Sequence, residues 1–110
     1  MKSESKIQQE CVVWFREEFV YGKQHPDCAI FSVPNEGRNR QEQAVKVSTG
    51  LMSGVSDLIV VMPNFILFVE VKDAKGTQKP KQIVFEGIVR AAGFSYHLVR
   101  SLEEFKGIIL

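Results

Sequence analysis

The feature that most constrains the fold of this chain is a pair of apolar runs separated by a short turn. The runs cover residues 58–61 and 65–69, and Met62-Pro63-Asn64 lies between them. Because Pro-Asn between runs rich in Val, Ile, Leu and Phe is a turn signal, we predict an antiparallel β-hairpin. The chain therefore contributes two neighbouring strands to a sheet.

Charged residues stand at one end of this predicted hairpin. Asp57 lies near the start of the first strand and Glu70 near the end of the second. In an antiparallel pair these positions lie at the same end of the ladder, so the two acids are expected to meet across the strands. Alternation along a strand places Glu70 and Lys72 on one face and Val71 on the other.

Two interpretations of these charges are open from spacing alone. A buried charge without a partner costs several kcal/mol, so the acids need compensation. A hard divalent cation such as Mg²⁺ takes oxygen ligands and would neutralise both acids, while the lysine would hold a water or a phosphate oxygen. The plainer alternative is an ion pair of Lys72 with Glu70 or with Asp57 at a strand end.

The order acid, hairpin, Glu-x-Lys resembles the signature of the PD-(D/E)XK nuclease superfamily, and the wider sequence resembles its VRR-NUC family. The segments that carry this resemblance are Pro34-Asn35-Glu36-Gly37-Arg38, residues 46–50, Gly54-Val55-Ser56-Asp57, Glu70-Val71-Lys72, Gly76 with Pro80 and Gln82, and Ala92-Gly93-Phe94. The resemblance implies an α/β (α+β) fold with a restriction-endonuclease-like core. This is a mixed β-sheet flanked by helices, in the order α-β-α-β-β-α-β.

The resemblance also implies a metal site and a role for each residue. Asp57, Glu70 and the backbone carbonyl of Val71 would bind Mg²⁺ or Mn²⁺, and Glu10 on the first helix would complete the site directly or through water. Lys72 would orient or help to deprotonate the attacking water and offset charge on the phosphate.

Two of these assignments have alternatives. Glu10 flanks the apolar stripe of the first helix, but Glu17 and Glu18 lie on nearby parts of the same helical wheel. Gln82 would hold the catalytic lysine, a water or a phosphate by resemblance, or it caps the third helix by reaching back from the third helical position. Lys79 stands where the family has a capping serine, so we expect that side-chain cap to be missing.

The rest of the sequence predicts the remaining elements of one domain, residues 1–110. The first is an amphipathic helix that ends near Gly22 and has its apolar positions at Ile7, Cys11, Trp14, Phe15 and Phe19. A strand at 29–33 and a second helix at 39–49 follow, and the apolar contacts of that helix are Ala44 and Val47. A third helix begins at Pro80, with an apolar stripe of Val84, Phe85, Ile88, Ala91 and Ala92, and the chain ends with a strand at 94–100 and a helical turn at 102–105.

Charge and hydropathy limit the partners. The formal net charge of +1 gives little global attraction to nucleic acid, so any contact with phosphates must be local. The candidate nucleic-acid contacts are Arg38, Arg40, Lys75, Lys79 and Lys81, although such a run is also typical of a solvated face. We see no signal peptide and no apolar stretch long enough to span a bilayer, so we expect an intracellular, cytoplasmic protein without a membrane partner.

The resemblance implies an endonuclease that hydrolyses phosphodiester bonds in DNA. Standalone members resemble homodimers that cut branched DNA such as four-way junctions, and this is our first hypothesis for substrate and assembly. Nicking or degradation of linear duplex and hydrolysis of RNA remain open. The alternative from another class is a non-catalytic nucleic-acid-binding or assembly module on the same fold.

Overall fold

A computed structural model describes residues 1–34 and 38–110, so Asn35, Glu36 and Gly37 of the family-like segment named above lie outside the described residues. The helices are α1 (Glu4–Phe19), α2 (Arg40–Ser48), α3 (Pro80–Ala91) and α4 (Leu102–Ile109). The strands are β1 (Ala29–Ser32), β2 (Leu58–Met62), β3 (Phe65–Val71) and β4 (Ser95–Val99). No helix in this part of the chain has the length and apolar character that a membrane span requires.

The strands form one mixed sheet in the order β1-β2-β3-β4. The pairs β1–β2 and β2–β3 are antiparallel, whereas β3 and β4 run parallel. A parallel pair needs a crossover connection, and α3 supplies it. The fold class and the order of elements predicted from the sequence are therefore confirmed.

The predicted hairpin is β2 and β3 joined by Pro63-Asn64. Its register runs from Met62↔Phe65 to Leu58↔Val69. Asn64 has φ 71°, a left-handed conformation that asparagine tolerates better than most residues. The same register, continued by one step, places Asp57 opposite Glu70. The two acids thus lie at the same end of the hairpin, as predicted.

Helix α1 covers one face of the sheet. Its Ile7, Cys11 and Phe15 are buried in the main apolar core, and the inward face of β3 contributes Leu67, Val69 and Val71 to it. This apolar stripe of α1 is the predicted one. On the opposite face Phe68 of β3 contacts Phe85 of α3, with 5.9 Å between ring centroids. Glu70 and Lys72 alternate onto that second face, away from the main core.

Two predicted apolar faces are wrong. In α2, Ala44 and Val47 are exposed and the helix buries no residue; nine residues are too few for periodicity to identify a packed face. In α3 the residue that becomes buried is Val89, with Phe85 half-buried, while the other predicted positions are exposed: Val84, Ile88, Ala91 and Ala92. Two adjoining apolar stripes run along α3, and a 3.6-residue period does not choose between them.

The end of the chain is also longer than predicted. Instead of a single turn, α4 has 8 residues and begins at Leu102. The hydroxyl of Ser101, the residue before it, caps the helix by accepting the N–H of Glu104. Phe105 of α4 is fully buried and meets the Trp14 ring edge-on. The terminal helix therefore closes the main core against α1.

Candidate metal site

Asp57 is anchored to both neighbouring strands. It directly precedes β2, and its backbone carbonyl accepts the N–H of Val33, at 3.0 Å. Its carboxylate Oδ2 accepts the backbone N–H of Val71, at 2.7 Å. The side chain is therefore held at the middle residue of the Glu70-Val71-Lys72 triplet.

Glu70 is buried, with 1% of its surface exposed. Its two carboxylate oxygens differ in their surroundings. Oε1 accepts two hydrogen bonds, from the Tyr96 hydroxyl and from the Gln78 side-chain amide. Oε2 is buried with no hydrogen-bond partner in the described chain, and the ammonium Nζ of Lys72 lies 3.6 Å away. The site thus contains a buried carboxylate oxygen that is compensated by charge but not by a hydrogen bond.

Lys72 is buried under the loop that follows β3. A Cβ on Gly76 would lie 3.3 Å from the Lys72 Cδ, so the loop rests on the lysine stem. Asp73 shapes the loop because its Oδ1 accepts the N–H groups of Lys75 and Gly76, at 2.9 and 2.6 Å. Arg100 Nη1 donates to the carbonyls of Asp73 and Gly76, both at 2.7 Å. The loop is therefore fastened to the end of β4.

The loop before Asp57 packs closely on the first turn of α3. Gly54 has φ 89°, and a Cβ there would lie 2.6 Å from the backbone carbonyl carbon and oxygen of Lys81. Only glycine fits both the conformation and the gap. The approach holds the segment that leads into Asp57 beside the start of α3.

Burial raises the pKa of Asp57, and the negative charges of Glu70 and Glu4 raise it further. The Val71 N–H and the Lys72 ammonium act in the opposite direction without cancelling the rise. The ionised form of Asp57 is therefore disfavoured by its surroundings. A bound cation would relieve this repulsion.

The donor set fits a small hard cation. Within residues 1–34 and 38–110 no three His, Cys, Asp or Glu side chains gather closely enough to hold a metal ion. Mg²⁺ does not need such a group, because proteins usually hold it through one or two carboxylates while waters and substrate phosphates complete the octahedron. Asp57 and Glu70 supply two carboxylates, and the unpartnered Oε2 is the observation in this structure that favours a metal ligand.

Glu10 is not brought together with Asp57 and Glu70 as a three-acid group. Its carboxylate instead pairs with the Lys2 ammonium, at 2.8 and 3.0 Å. The acid of α1 whose charge reaches Asp57 is Glu4. Glu4 lies three residues before Ile7, on the same side of α1, and its side chain is exposed.

Gln82 caps α3. Its Oε1 accepts the backbone N–H of Lys79, at 2.8 Å, and the Lys79 side chain makes no cap hydrogen bond. Of the two roles open for Gln82, the structure displays the capping one. The glutamine that contacts the candidate site is Gln78, whose amide donates to Glu70. It lies in a loop, where the sequence has no periodic signal.

The predicted basic residues differ in their surroundings. Lys75, Lys79 and Lys81 are exposed along the loop and the start of α3, and none of them pairs with an acid in the described parts of the chain. Arg40 is exposed as well. Arg38 is also exposed, but its Nε contacts Glu42, at 2.9 Å. The three lysines give the site a local positive border.

Two solved structures are similar to the chain over almost its whole length. One is described as "VRR_NUC domain", with 22% sequence identity, a TM-score of 0.66, and coverage of 99% of this chain and 96% of the other. The second is a "VRR_NUC domain protein", with 19% identity, a TM-score of 0.76, and coverage of 98% and 85%. No family model and no curated protein matches the sequence. At these identities the likeness concerns the fold.

Proposed function

The chain has the fold of the VRR_NUC domains, and on this premise we propose that it is a divalent-metal-dependent endonuclease that hydrolyses phosphodiester bonds in DNA. The observation that carries the proposal is Glu70 Oε2, which is buried without a hydrogen bond next to the Lys72 ammonium. A purely structural ion pair at a strand end would leave no reason to bury an unsatisfied carboxylate oxygen.

The residues of the site have distinct roles. Asp57, Glu70 through Oε2, and the Val71 carbonyl would hold Mg²⁺ or Mn²⁺. Bound there, the ion supplies a Lewis acid and a template for the phosphate. Glu4 adds negative charge from α1, whereas Glu10 is engaged by Lys2. The first helix therefore contributes through its N-terminal acid.

Lys72 orients the attacking water and stabilises negative charge that develops on the phosphate. Its ammonium is held beside Glu70 and shielded from bulk water, where a positive charge acts more strongly than at the surface. The loop from Asp73 to Gly76, fastened by Arg100, fixes the lysine in place.

The phosphate backbone binds along the lysine border. Lys75, Lys79 and Lys81 are exposed next to the loop that covers Lys72, and cations in such positions fix the register of a nucleic acid without reading its sequence. Arg38 and Arg40, which are also exposed, would be further contacts to the phosphate backbone. Binding is therefore expected to weaken as salt increases.

We further propose that the protein acts as a homodimer on branched DNA. Large apolar side chains are exposed on α2 and α3, among them Val45, Val47, Ile83, Val84 and Ile88. A second copy could bury these side chains, which supports the dimer expected from the resemblance. Two sites in one assembly would suit paired incisions of a four-way junction.

The test is cleavage of a labelled four-way junction beside linear duplex, single strand and RNA duplex of the same sequence, in Mg²⁺ and in Mn²⁺. Wild type and Asp57→Asn are compared, and sedimentation gives the oligomeric state. Metal-dependent junction cuts that disappear in the variant support the proposal. Salt-sensitive binding without turnover of any substrate contradicts it and favours a non-catalytic binding module.

A further inference from the structure

Glu70 has one carboxylate oxygen fully engaged and one free. Oε1 accepts the Tyr96 hydroxyl and one N–H of the Gln78 amide. A carboxylate oxygen has two lone-pair directions, so these two donors saturate it. Oε2 has no hydrogen-bond partner in the described chain and faces Lys72. The protein itself therefore makes the two oxygens unequal.

The donors to Oε1 belong to a closed network of hydrogen bonds that includes one backbone carbonyl. The same Gln78 nitrogen also donates to Glu86 Oε1, at 2.9 Å. Arg90 Nε donates to Glu86 Oε2, at 2.8 Å, and Arg90 Nη2 donates to the Tyr96 carbonyl, at 3.0 Å. The network thus runs from Glu70 through α3 to β4 and back to Glu70. Gln78 cannot leave Oε1 without disturbing its contact with Glu86. Tyr96 cannot leave it without unpacking its buried aromatic side chain.

Tyr96 is held rigidly at this position. It is 1% exposed, and its ring contacts Phe85 edge-on, with 6.2 Å between centroids. Such packing fixes the hydroxyl against Glu70 whether or not an ion is bound. The apolar packing between α3 and β4 therefore holds Tyr96, and the Tyr96 hydroxyl in turn orients the Glu70 carboxylate.

We propose that Tyr96 and Gln78 are positioning residues that restrict Glu70 to one-oxygen coordination through Oε2 and so select Mg²⁺ over Ca²⁺. Mg²⁺ demands a compact octahedron, whereas Ca²⁺ takes six to eight oxygens and readily accepts both oxygens of one carboxylate. A carboxylate with one oxygen blocked suits the smaller ion. The inference rests on the proposed function, because it assumes that the Asp57–Glu70 site binds a divalent cation.

The test is calorimetric titration of the full chain with Mg²⁺ and, separately, with Ca²⁺. Tyr96→Phe removes one donor and keeps the ring, and Gln78→Met removes the other at similar volume. Loss of such an outer contact costs about 10- to 100-fold in metal affinity. We expect each variant to lose about tenfold in Mg²⁺ affinity while Ca²⁺ affinity is kept, so that the ratio of the two dissociation constants changes by about tenfold. The double variant should shift it further.

Val99→Ala is the matched control. Val99 lies on β4 near Tyr96 but packs in the main core on the other face, so its truncation lowers stability without touching Glu70. It should leave the Mg²⁺ to Ca²⁺ ratio at the wild-type value. An unchanged ratio in both Tyr96→Phe and Gln78→Met overturns this inference and leaves the metal site intact. Failure of the wild type to bind either ion overturns the metal site and this inference together.

Discussion

The Asp57 carboxylate accepts the backbone N–H of Val71, at 2.7 Å. The ladder between β2 and β3 ends at the pair Leu58↔Val69, so this bond extends the connection between the strands beyond the ladder. It fixes Asp57 at the centre of the Glu70-Val71-Lys72 triplet. The acid whose pKa is raised by its surroundings is thus also the one that joins β2 to β3.

Asp57→Asn is expected to stabilise the metal-free protein at neutral pH. Folding raises the pKa of Asp57, so the folded state binds more protons than the unfolded state. The stability of the wild type therefore falls as the pH rises from the pKa of the unfolded state, about 3.9, through the higher pKa of the folded state. Asparagine keeps a side-chain oxygen that accepts the Val71 N–H. Because it does not ionise, it does not lose stability as the pH rises. Thermal unfolding in chelator should show little difference near pH 4 and a growing advantage of the variant towards about pH 7.

Asp27→Asn is the control for this experiment. The pKa of Asp27 is lowered, chiefly by the hydrogen bond from the Cys28 thiol, so its substitution should give no gain at neutral pH. Adding Mg²⁺ should raise the melting temperature of the wild type and not that of Asp57→Asn, because only the intact site binds the ion. A destabilised Asp57→Asn in chelator would contradict the raised pKa.

Gly54→Ala is expected to destabilise the protein more than Gly93→Ala. Both glycines have φ 89°, but nothing lies within 4 Å of a Cβ at Gly93, whereas a Cβ at Gly54 meets the Lys81 backbone at 2.6 Å. Gly93→Ala should cost about 1–2 kcal/mol of conformational strain. Gly54→Ala should cost a further 1–3 kcal/mol or so from overpacking and should also slow cleavage, because it displaces the loop before Asp57.

Equal denaturation midpoints for these two alanine variants would show that the close approach of Gly54 to α3 has no energetic weight. Chemical denaturation gives the comparison, since both changes are glycine to alanine at the same φ. Cleavage rates at a temperature where both variants are folded then separate the effect on the site from the effect on stability.

Gln82 is predicted to act as a helix cap. Gln82→Ala should cost about 1 kcal/mol of stability, whereas Gln82→Glu should keep both stability and cleavage, because glutamate at the third helical position also accepts the Lys79 N–H and suits the helix dipole. Denaturation and cleavage rates are measured on both variants. If Gln82→Glu is stable but cleaves poorly, the role of Gln82 is instead to hold the catalytic lysine, a water or a phosphate.

Arg100→Met is expected to free the loop over Lys72. The two carbonyl contacts of Arg100 should be worth about 2 kcal/mol together, and their loss should raise hydrogen exchange in residues 73–78 and slow cleavage. Arg16→Met serves as control, because Arg16 also contacts a backbone carbonyl, that of Ile30, but far from this loop. Unchanged hydrogen exchange in Arg100→Met would show that Arg100 does not hold this loop in place.

The part of the site that follows from local pattern was predictable. The turn at Pro63-Asn64 fixes the register of the hairpin, and the register alone brings Asp57 opposite Glu70 with Lys72 on the same face. The register of a hairpin is fixed by its turn, and it is strongly specified because one residue of slip would turn every side chain of the strand to the other face.

The surroundings of Glu70 were not predictable in this way. Tyr96 is 26 positions away along the chain, and its contact depends on the parallel pairing of β3 with β4. Gln78 and Arg100 act from a loop and a strand end, where sequence has no period to read. Glu10 was assigned from the family resemblance, because helical periodicity does not separate it from Glu17 and Glu18. In the structure its carboxylate pairs with Lys2, and the acid of α1 whose charge raises the pKa of Asp57 is Glu4.

The most direct test of the central claim is the single-turnover rate of DNA cleavage in Mg²⁺ by wild type, Lys72→Met and Lys75→Met. The two substitutions remove the same charge, but Lys72 is buried beside Glu70 and Lys75 is exposed. We predict that Lys72→Met stays folded by circular dichroism and loses on the order of a hundredfold or more in rate, while Lys75→Met loses only a few-fold. A Lys72→Met protein that cleaves at the wild-type rate would contradict the assignment of this site.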